Sequence, residues 1–417
     1  MHSERHFNPT VQLIILLLLS SLFTGCVSLS PRLQESGLNS GFGFNTEKSF
    51  DIYVQENRDL IEKARVDLNE INRESVIKAN APFELRPDTT LFPKTRQGKY
   101  QKGVLLIHGL SDSPYMMQPI ARHLQARGFL VRAILLPGHG TVPGDLLSVT
   151  YGEWINAMTY GLKTLKADAG QVYMGGFSTG GALCVFQALQ DREIKGLFLF
   201  SPALGLKDKR AALAGILGVF SEWVGSPRDD TDYAKYESFA TNAAGQIYGL
   251  TQELANRLGD RKLLEAPVFA AFSEDDETVD AARTLEVMGK NGASKKNRLI
   301  VYTKKPRPDQ EGPNGTVVYD GSYIPEEHIL DFSHIAITIP PDDPHYGRNG
   351  GYKCCLHYMT EPEKRRLCLL GGATLWQGEN SSANLQAATM RRLSYNPLFP
   401  RLLGQLDGFL KDVEIDH

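Results

Sequence analysis

The chain has 417 residues, 42% hydrophobic and 22% charged, enough apolar material for one large core or two ordinary ones. Its formal net charge of −3 supplies no concentrated basic face, which argues against nucleic-acid binding. Five Cys at this length are too few for a disulfide scaffold.

Residues 1–10 are polar, and 11–23 form an apolar run broken by Gln12, Ser20 and Ser21. The run is too short to read as a spanning helix. It ends in Thr24, Gly25 and Cys26. A polar start, a short apolar stretch and small residues at the cut describe a secretory signal peptide over 1–25. With Cys26 directly after, the segment resembles the lipobox of bacterial lipoproteins, although Phe23 stands where an aliphatic residue is usual. The resemblance implies that Cys26 becomes the new N-terminus and carries lipid, anchoring the protein to a membrane of the bacterial cell envelope. Val27 is compatible with outer-membrane sorting.

Residues 28–45 are rich in Ser and Gly and read as a tether. Over 50–79, Ile52, Val54, Leu60, Ile61, Ala64, Leu68 and Ile71 recur at helical spacing and predict an amphipathic helix. The stretch 26–98 is thus expected as a tether and N-terminal helical region, with the main domain over 99–417. From Gly103 onward, apolar strands alternate with helical stretches. Strands are expected at 104–107, 129–136, 171–176, 197–200, 268–272 and 299–302. Such alternation predicts an α/β fold with a mostly parallel central sheet and helices on both faces. Chemistry in such sheets sits at the carboxyl ends of the strands.

Gly176-Phe177-Ser178-Thr179-Gly180 fits G-x-S-x-G between a predicted strand and a predicted helix. The nucleophile of that motif needs a strained turn, and a Cβ at either glycine would meet neighbouring backbone. With Leu106 to Leu110, Leu136 to Gly140, and Asp276 to Val279 in the same order, residues 103 to about 335 resemble the α/β-hydrolase superfamily. Within it they resemble the subset of carboxylesterases, monoacylglycerol lipases and serine aminopeptidase-like sequences. The resemblance implies a Ser–Asp–His order along the chain, with backbone N–H groups of Leu110 and Thr179 as oxyanion donors. His108 and His139 read as structural, the latter fixing its loop.

For the acid, Asp276 with the apolar Val279 fits the family pattern, and Asp275 is its competitor. For the base, His334 in Phe332-Ser333-His334-Ile335 resembles the catalytic turn of some of these hydrolases, and His328 reads as solvated. The long gap between acid and base is assigned to a surface insertion at 304–327. A helical insert at about 203–266 is expected to cap the nucleophile and wall an acyl pocket. The tail at about 336–417 holds Cys354, Cys355 and Cys368, and Cys368 is expected to pair with Cys354 or Cys355 in an oxidising compartment. Cys184 is expected to stay reduced and buried. No zinc spacing is recognisable in the tail.

These features predict a lipid-anchored serine hydrolase acting on carboxylic esters or lipid-like small molecules, with Ser178, Asp276 and His334 as its triad and no cofactor required. Amide cleavage by a serine aminopeptidase-like enzyme uses the same triad. A non-catalytic envelope protein on the same scaffold is the reading from another class. The sequence leaves the oligomeric state open.

Overall fold

The computed structural model describes residues 30–39, 47–207, 221–227, 231–259, 262–372 and 374–414. Cys26 and its signal-like segment lie outside them, as do 208–220, 228–230 and 260–261 of the insert expected at about 203–266.

Part of the presumed tether is docked. Leu33 is buried, and the Ser36 N–H and hydroxyl both donate to the Asp145 carboxylate. The single helix expected over 50–79 is two helices, α1 (Phe50–Ala64) and α2 (Arg73–Asn80). Between them Asn69 and Asn72 take up backbone N–H groups of the turn, and such local bonds compete with a helix. Ile71 fits the helical spacing yet is 97% exposed.

The described strands are β1 (Phe83–Leu85), β2 (Tyr100–Ile107), β3 (Phe129–Ile134), β4 (Ala169–Phe177), β5 (Ile194–Phe200), β6 (Val268–Ser273), β7 (Arg298–Thr303), β8 (Gln310–Gly312) and β9 (Gly315–Gly321). They form one sheet in the order β1-β3-β2-β4-β5-β6-β7-β9-β8. The pairs are parallel except β1 with β3 and β8 with β9 at the two edges. Along β2, Leu105 and Ile107 enter one core and Val104 and Leu106 the other. Both faces are covered, which is why these strands read as continuous apolar runs rather than alternating ones.

The helices flanking the sheet include α3 (Gln118–Gln125), α4 (Tyr151–Asp168), α5 (Thr179–Ala188), α6 (Thr241–Gly259) and α7 (Ala281–Asn291). α4 starts in a capping box in which Thr150 and Glu153 satisfy each other's backbone N–H. Trp154 on its first turn is fully buried and donates its indole N–H to the Pro137 carbonyl.

The region 304–327 is not wholly an insertion on the surface. β9 pairs in parallel with β7 from Arg298↔Thr316 to Thr303↔Gly321, extending the sheet by a strand. Its Thr316-Val317-Val318-Tyr319 run is β-branched and aromatic, but it is short and sits among charged and glycine residues that mask it.

Beyond the sheet lie α8 (Pro362–Leu370), β10 (Trp376–Gly378), α9 (Ser382–Ala387), β11 (Met390–Arg392) and α10 (Phe399–Glu414). β10 and β11 form a small parallel pair. α10 packs Leu402, Leu406 and Phe409 into the core that also holds Phe198 and Phe269. A short strand thus precedes the last helix of the tail. Among the described residues, no helix is long and apolar enough to cross a membrane.

Candidate active site

Ser178 stands between the end of β4 and the start of α5 with φ 52° and ψ −115°, a conformation rarely held by a residue with a side chain. The turn around it is too tight for two other Cβ atoms. One built on Gly176 would lie 2.2 Å from the Gly180 carbonyl carbon, and one on Gly180 would lie 2.1 Å from the Ile107 carbonyl oxygen. The motif glycines are therefore steric requirements of the elbow.

His334 opens a short turn after Ser333 and is buried. Its Nε2 lies 3.1 Å from Ser178 Oγ and its Nδ1 2.6 Å from Asp276 Oδ2. Asp276 Oδ1 accepts the backbone N–H groups of Thr278 at 2.7 Å and Val279 at 2.9 Å. Burial pushes the Asp276 carboxyl up, but His334 and these N–H donors outweigh it and hold the group below its usual value. A carboxylate so held keeps the Nδ1–H tautomer in place and leaves Nε2 facing the serine.

The competing residues are elsewhere. Asp275 accepts Lys304 Nζ at 2.9 Å and belongs to the turn. His328 sits in the left-handed region at φ 55° and packs against Trp376. His345 bonds Asp232, and His357 bonds the Met390 carbonyl. Leu110 and Thr179 both line the space in front of Ser178. Thr179 is the first residue of α5, where a backbone N–H has no partner within the helix.

The loop carrying Leu110 is stapled by two histidines. His108 Nδ1 donates to the Gly109 carbonyl at 2.8 Å, and its Nε2 accepts the Leu136 N–H at 3.0 Å. His139 Nδ1 donates to the Pro137 carbonyl at 3.0 Å, and its Nε2 accepts the Ser111 N–H at 3.1 Å. Each ring ties its own loop to the other. Burial pushes both rings down, His108 to about 4 and His139 to about 3, so both are neutral at pH 7.

A cavity of about 700 Å³ opens in front of Ser178. Trp223, Val224, Phe239 and Ile247 bring apolar lining from the insert, and Asp112, Lys235 and Glu237 bring charge. Lys235 Nζ pairs with Asp112 Oδ1 at 2.6 Å. The tail supplies part of the wall through Tyr352, Cys354, Leu356 and Arg392, which sequence reasoning did not foresee. Tail and insert are also fastened together: Tyr352 donates to Glu237 at 2.7 Å, and His345 and Tyr346 both bond the buried Asp232.

Sequence reasoning also missed Glu379. It is fully buried, and its Oε2 accepts the His334 backbone N–H at 3.0 Å. No motif marks it, because the His334 and Arg392 groups it binds are distant in sequence. The tail's disulfide joins Cys355 to Cys368, while Cys354 and Cys184 are free and buried. Burial pushes both free thiols up. Among the described residues, no group of three or more His, Cys, Asp or Glu is placed to hold a metal ion.

The serine aminopeptidase S33 family matches residues 98–305. A thermostable monoacylglycerol lipase of Bacillus sp. (strain H-257) is 28% identical over 181 residues, covering 42% of this chain and 71% of that protein. A carboxylesterase of Bacillus subtilis (strain 168) is 22% identical over 185 residues, covering 43% of this chain and 74% of that protein. Among solved structures, a soluble variant of the monoglyceride lipase of Saccharomyces cerevisiae superposes with a TM-score of 0.42 at 17% identity, over 54% of this chain and 82% of that one. With the family match over 98–305 and a mostly parallel sheet flanked by helices, this chain has the α/β-hydrolase fold and is similar to esterases, monoacylglycerol lipases and serine aminopeptidase-like proteins.

Proposed function

We propose that this protein is a serine hydrolase that cleaves carboxylic esters of short- to medium-chain acyl groups. The observation that carries the reading is the hydrogen-bond chain from Ser178 through His334 to Asp276, facing a cavity with apolar walls. Ser178 Oγ attacks the acyl carbon while His334 Nε2 takes its proton. The oxyanion is held by the N–H groups of Leu110 and Thr179. His334 then returns the proton to the leaving alcohol, and an acyl group remains on Ser178. Water, deprotonated by His334, releases the acid and restores the serine. Asp276 orients the ring and offsets the positive charge it acquires. No step uses a cofactor.

The apolar lining at Trp223, Phe239 and Ile247 suits an acyl chain, and the Asp112–Lys235 pair offers a polar end. The monoacylglycerol lipase and carboxylesterase among the relatives support esters over amides. Cys26 completes the proposal as a lipid-bearing N-terminus that holds the domain at an envelope membrane. The test is labelling with a serine-reactive fluorophosphonate, followed by p-nitrophenyl esters set against aminoacyl amides. Labelling lost in Ser178→Ala, with ester turnover, supports the proposal. An unlabelled protein refutes it, and turnover of the amides alone moves the activity to peptidase chemistry.

A further inference from the structure

The acid and the base lie on separate loops, and their relative placement decides whether the proton relay works. Asp276 is in the turn after β6, while His334 is in a turn beyond β9. One side chain reaches toward both. Arg392, on β11, donates to Glu379 Oε1 through Nε at 2.8 Å and to Oε2 through Nη2 at 3.0 Å. The same Nη2 lies 3.2 Å from Thr278 Oγ1, and Thr278 is the residue whose N–H binds the Asp276 carboxylate. Glu379 in turn holds the His334 backbone N–H, and Oε1 also takes the Asn380 N–H. Each carboxylate oxygen therefore has two donors, and the buried charge is paired.

We infer that Glu379 and Arg392 are positioning residues that lock the His334 turn to the Asp276 turn, and that they do so from a segment outside the family match at 98–305. The inference rests on the proposed roles of Ser178, His334 and Asp276. A buried pair with these bonds fixes geometry in both directions, along the backbone of the base and at the loop of the acid. Misplacing a catalytic group by about 1 Å costs on the order of 100-fold in rate. The pair is also balanced in charge, a buried carboxylate against a guanidinium.

That balance supplies a readout that a merely structural role would not move. Charged groups around His334 are Asp276 from the acid turn, Glu379 and Arg392 from the tail, and the buried Asp331, which accepts the Glu379 N–H and is paired with Lys304. Asp112, Lys235 and Glu237 share the cavity wall and stay as they are. Glu379→Gln leaves a buried cation, which disfavours protonated His334 and moves the acid limb of kcat/KM to lower pH. Arg392→Gln leaves a buried anion and moves the limb to higher pH. Shifts of about half a unit or more are expected, of opposite sign, with the double variant returning toward the wild type.

The experiment measures kcat, KM and the pH profile on a p-nitrophenyl ester, with fluorophosphonate labelling and thermal melting of each variant. Expected for Glu379→Gln is a fall in kcat of roughly 10- to 100-fold with KM changed less than about twofold. Where Arg392→Gln does not fold, Arg392→Lys takes its place: it keeps the charge and loses the fork, so kcat falls while the limb stays put. An unchanged kcat in folded Glu379→Gln overturns the inference, as do limbs that move in the same direction. A wild type that neither labels nor turns over ester overturns the hydrolase reading and this inference together. A labelled, active wild type whose kcat is unchanged by Glu379→Gln overturns this inference alone.

Discussion

Asp275 and Asp276 are chemically equivalent neighbours, and only their partners separate them. Asp276 meets His334, whereas Asp275 meets Lys304. Asp276→Asn, Ser178→Ala and His334→Ala are each expected to lower ester turnover by on the order of 10^4-fold. Asp275→Asn is expected to cost less than about tenfold, because it removes one partly solvated ion pair. Steady-state kinetics of the four purified variants check this, and a dead Asp275→Asn beside an active Asp276→Asn would reverse the assignment. At this scale the sequence was legible where chemistry forces local spacing. Gly176 and Gly180 were readable because the elbow leaves no room for Cβ atoms, and Val279 marked its turn. Glu379 was not readable, because a carboxylate that grips a backbone N–H 45 residues away leaves no periodicity or motif behind.

Elements carry the next two expectations. The His108 and His139 staples work only with neutral rings. An unfolded chain protonates these histidines near 6.5, while the folded chain resists until about 4 and 3. The unfolded state thus binds more protons below 6.5, and stability falls with pH through that window. The loss amounts to on the order of 2 kcal/mol per ring between pH 6.5 and pH 5. Urea melts at pH 7 and pH 5 should show the drop, and a flat profile would contradict the buried neutral rings. The disulfide is the second case. The Arg392 N–H bonds the Cys354 carbonyl at 3.1 Å, and Arg391 Nε bonds the Cys368 carbonyl at 3.0 Å. Reduction of Cys355–Cys368 should therefore lower stability by about 2–4 kcal/mol and lower kcat several-fold, read by melting and turnover with and without a phosphine reductant. Unchanged turnover after complete reduction would show that the bridge supports the tail only. Strand and helix order was legible because buried parallel strands are continuous apolar runs. The division of 50–79 into α1 and α2 was not, because Ile71 keeps the helical rhythm while facing solvent, and the turn is decided by Asn69 and Asn72.

The molecule as a whole encloses its site with two segments far apart in the chain, the insert through Trp223 and Phe239 and the tail through Tyr352 and Leu356. A walled cavity of about 700 Å³ favours a matched acyl chain over a longer one. Each added CH2 should raise kcat/KM about fourfold, at roughly 0.8 kcal/mol, until the wall is reached. A p-nitrophenyl ester series on anchor-free protein should rise and then fall; a flat series would mean that the acyl chain lies outside the cavity. For the proposed anchor, mass spectrometry of the N-terminal peptide should find a diacyl or triacyl mass on Cys26, and an unmodified Cys26 would remove it. The wall built from the tail also sets a timetable. Ribosomes release Ser178, Asp276 and His334 before Cys368, Glu379 and Arg392, so a nascent chain holds the complete triad without its clamp or its closed wall. On the proposed roles and the proposed export, hydrolytic power would arrive with the last part of the polypeptide, and Cys355–Cys368 would close only after delivery to an oxidising compartment. The producing cell would be spared the activity during synthesis without needing a separate inhibitor.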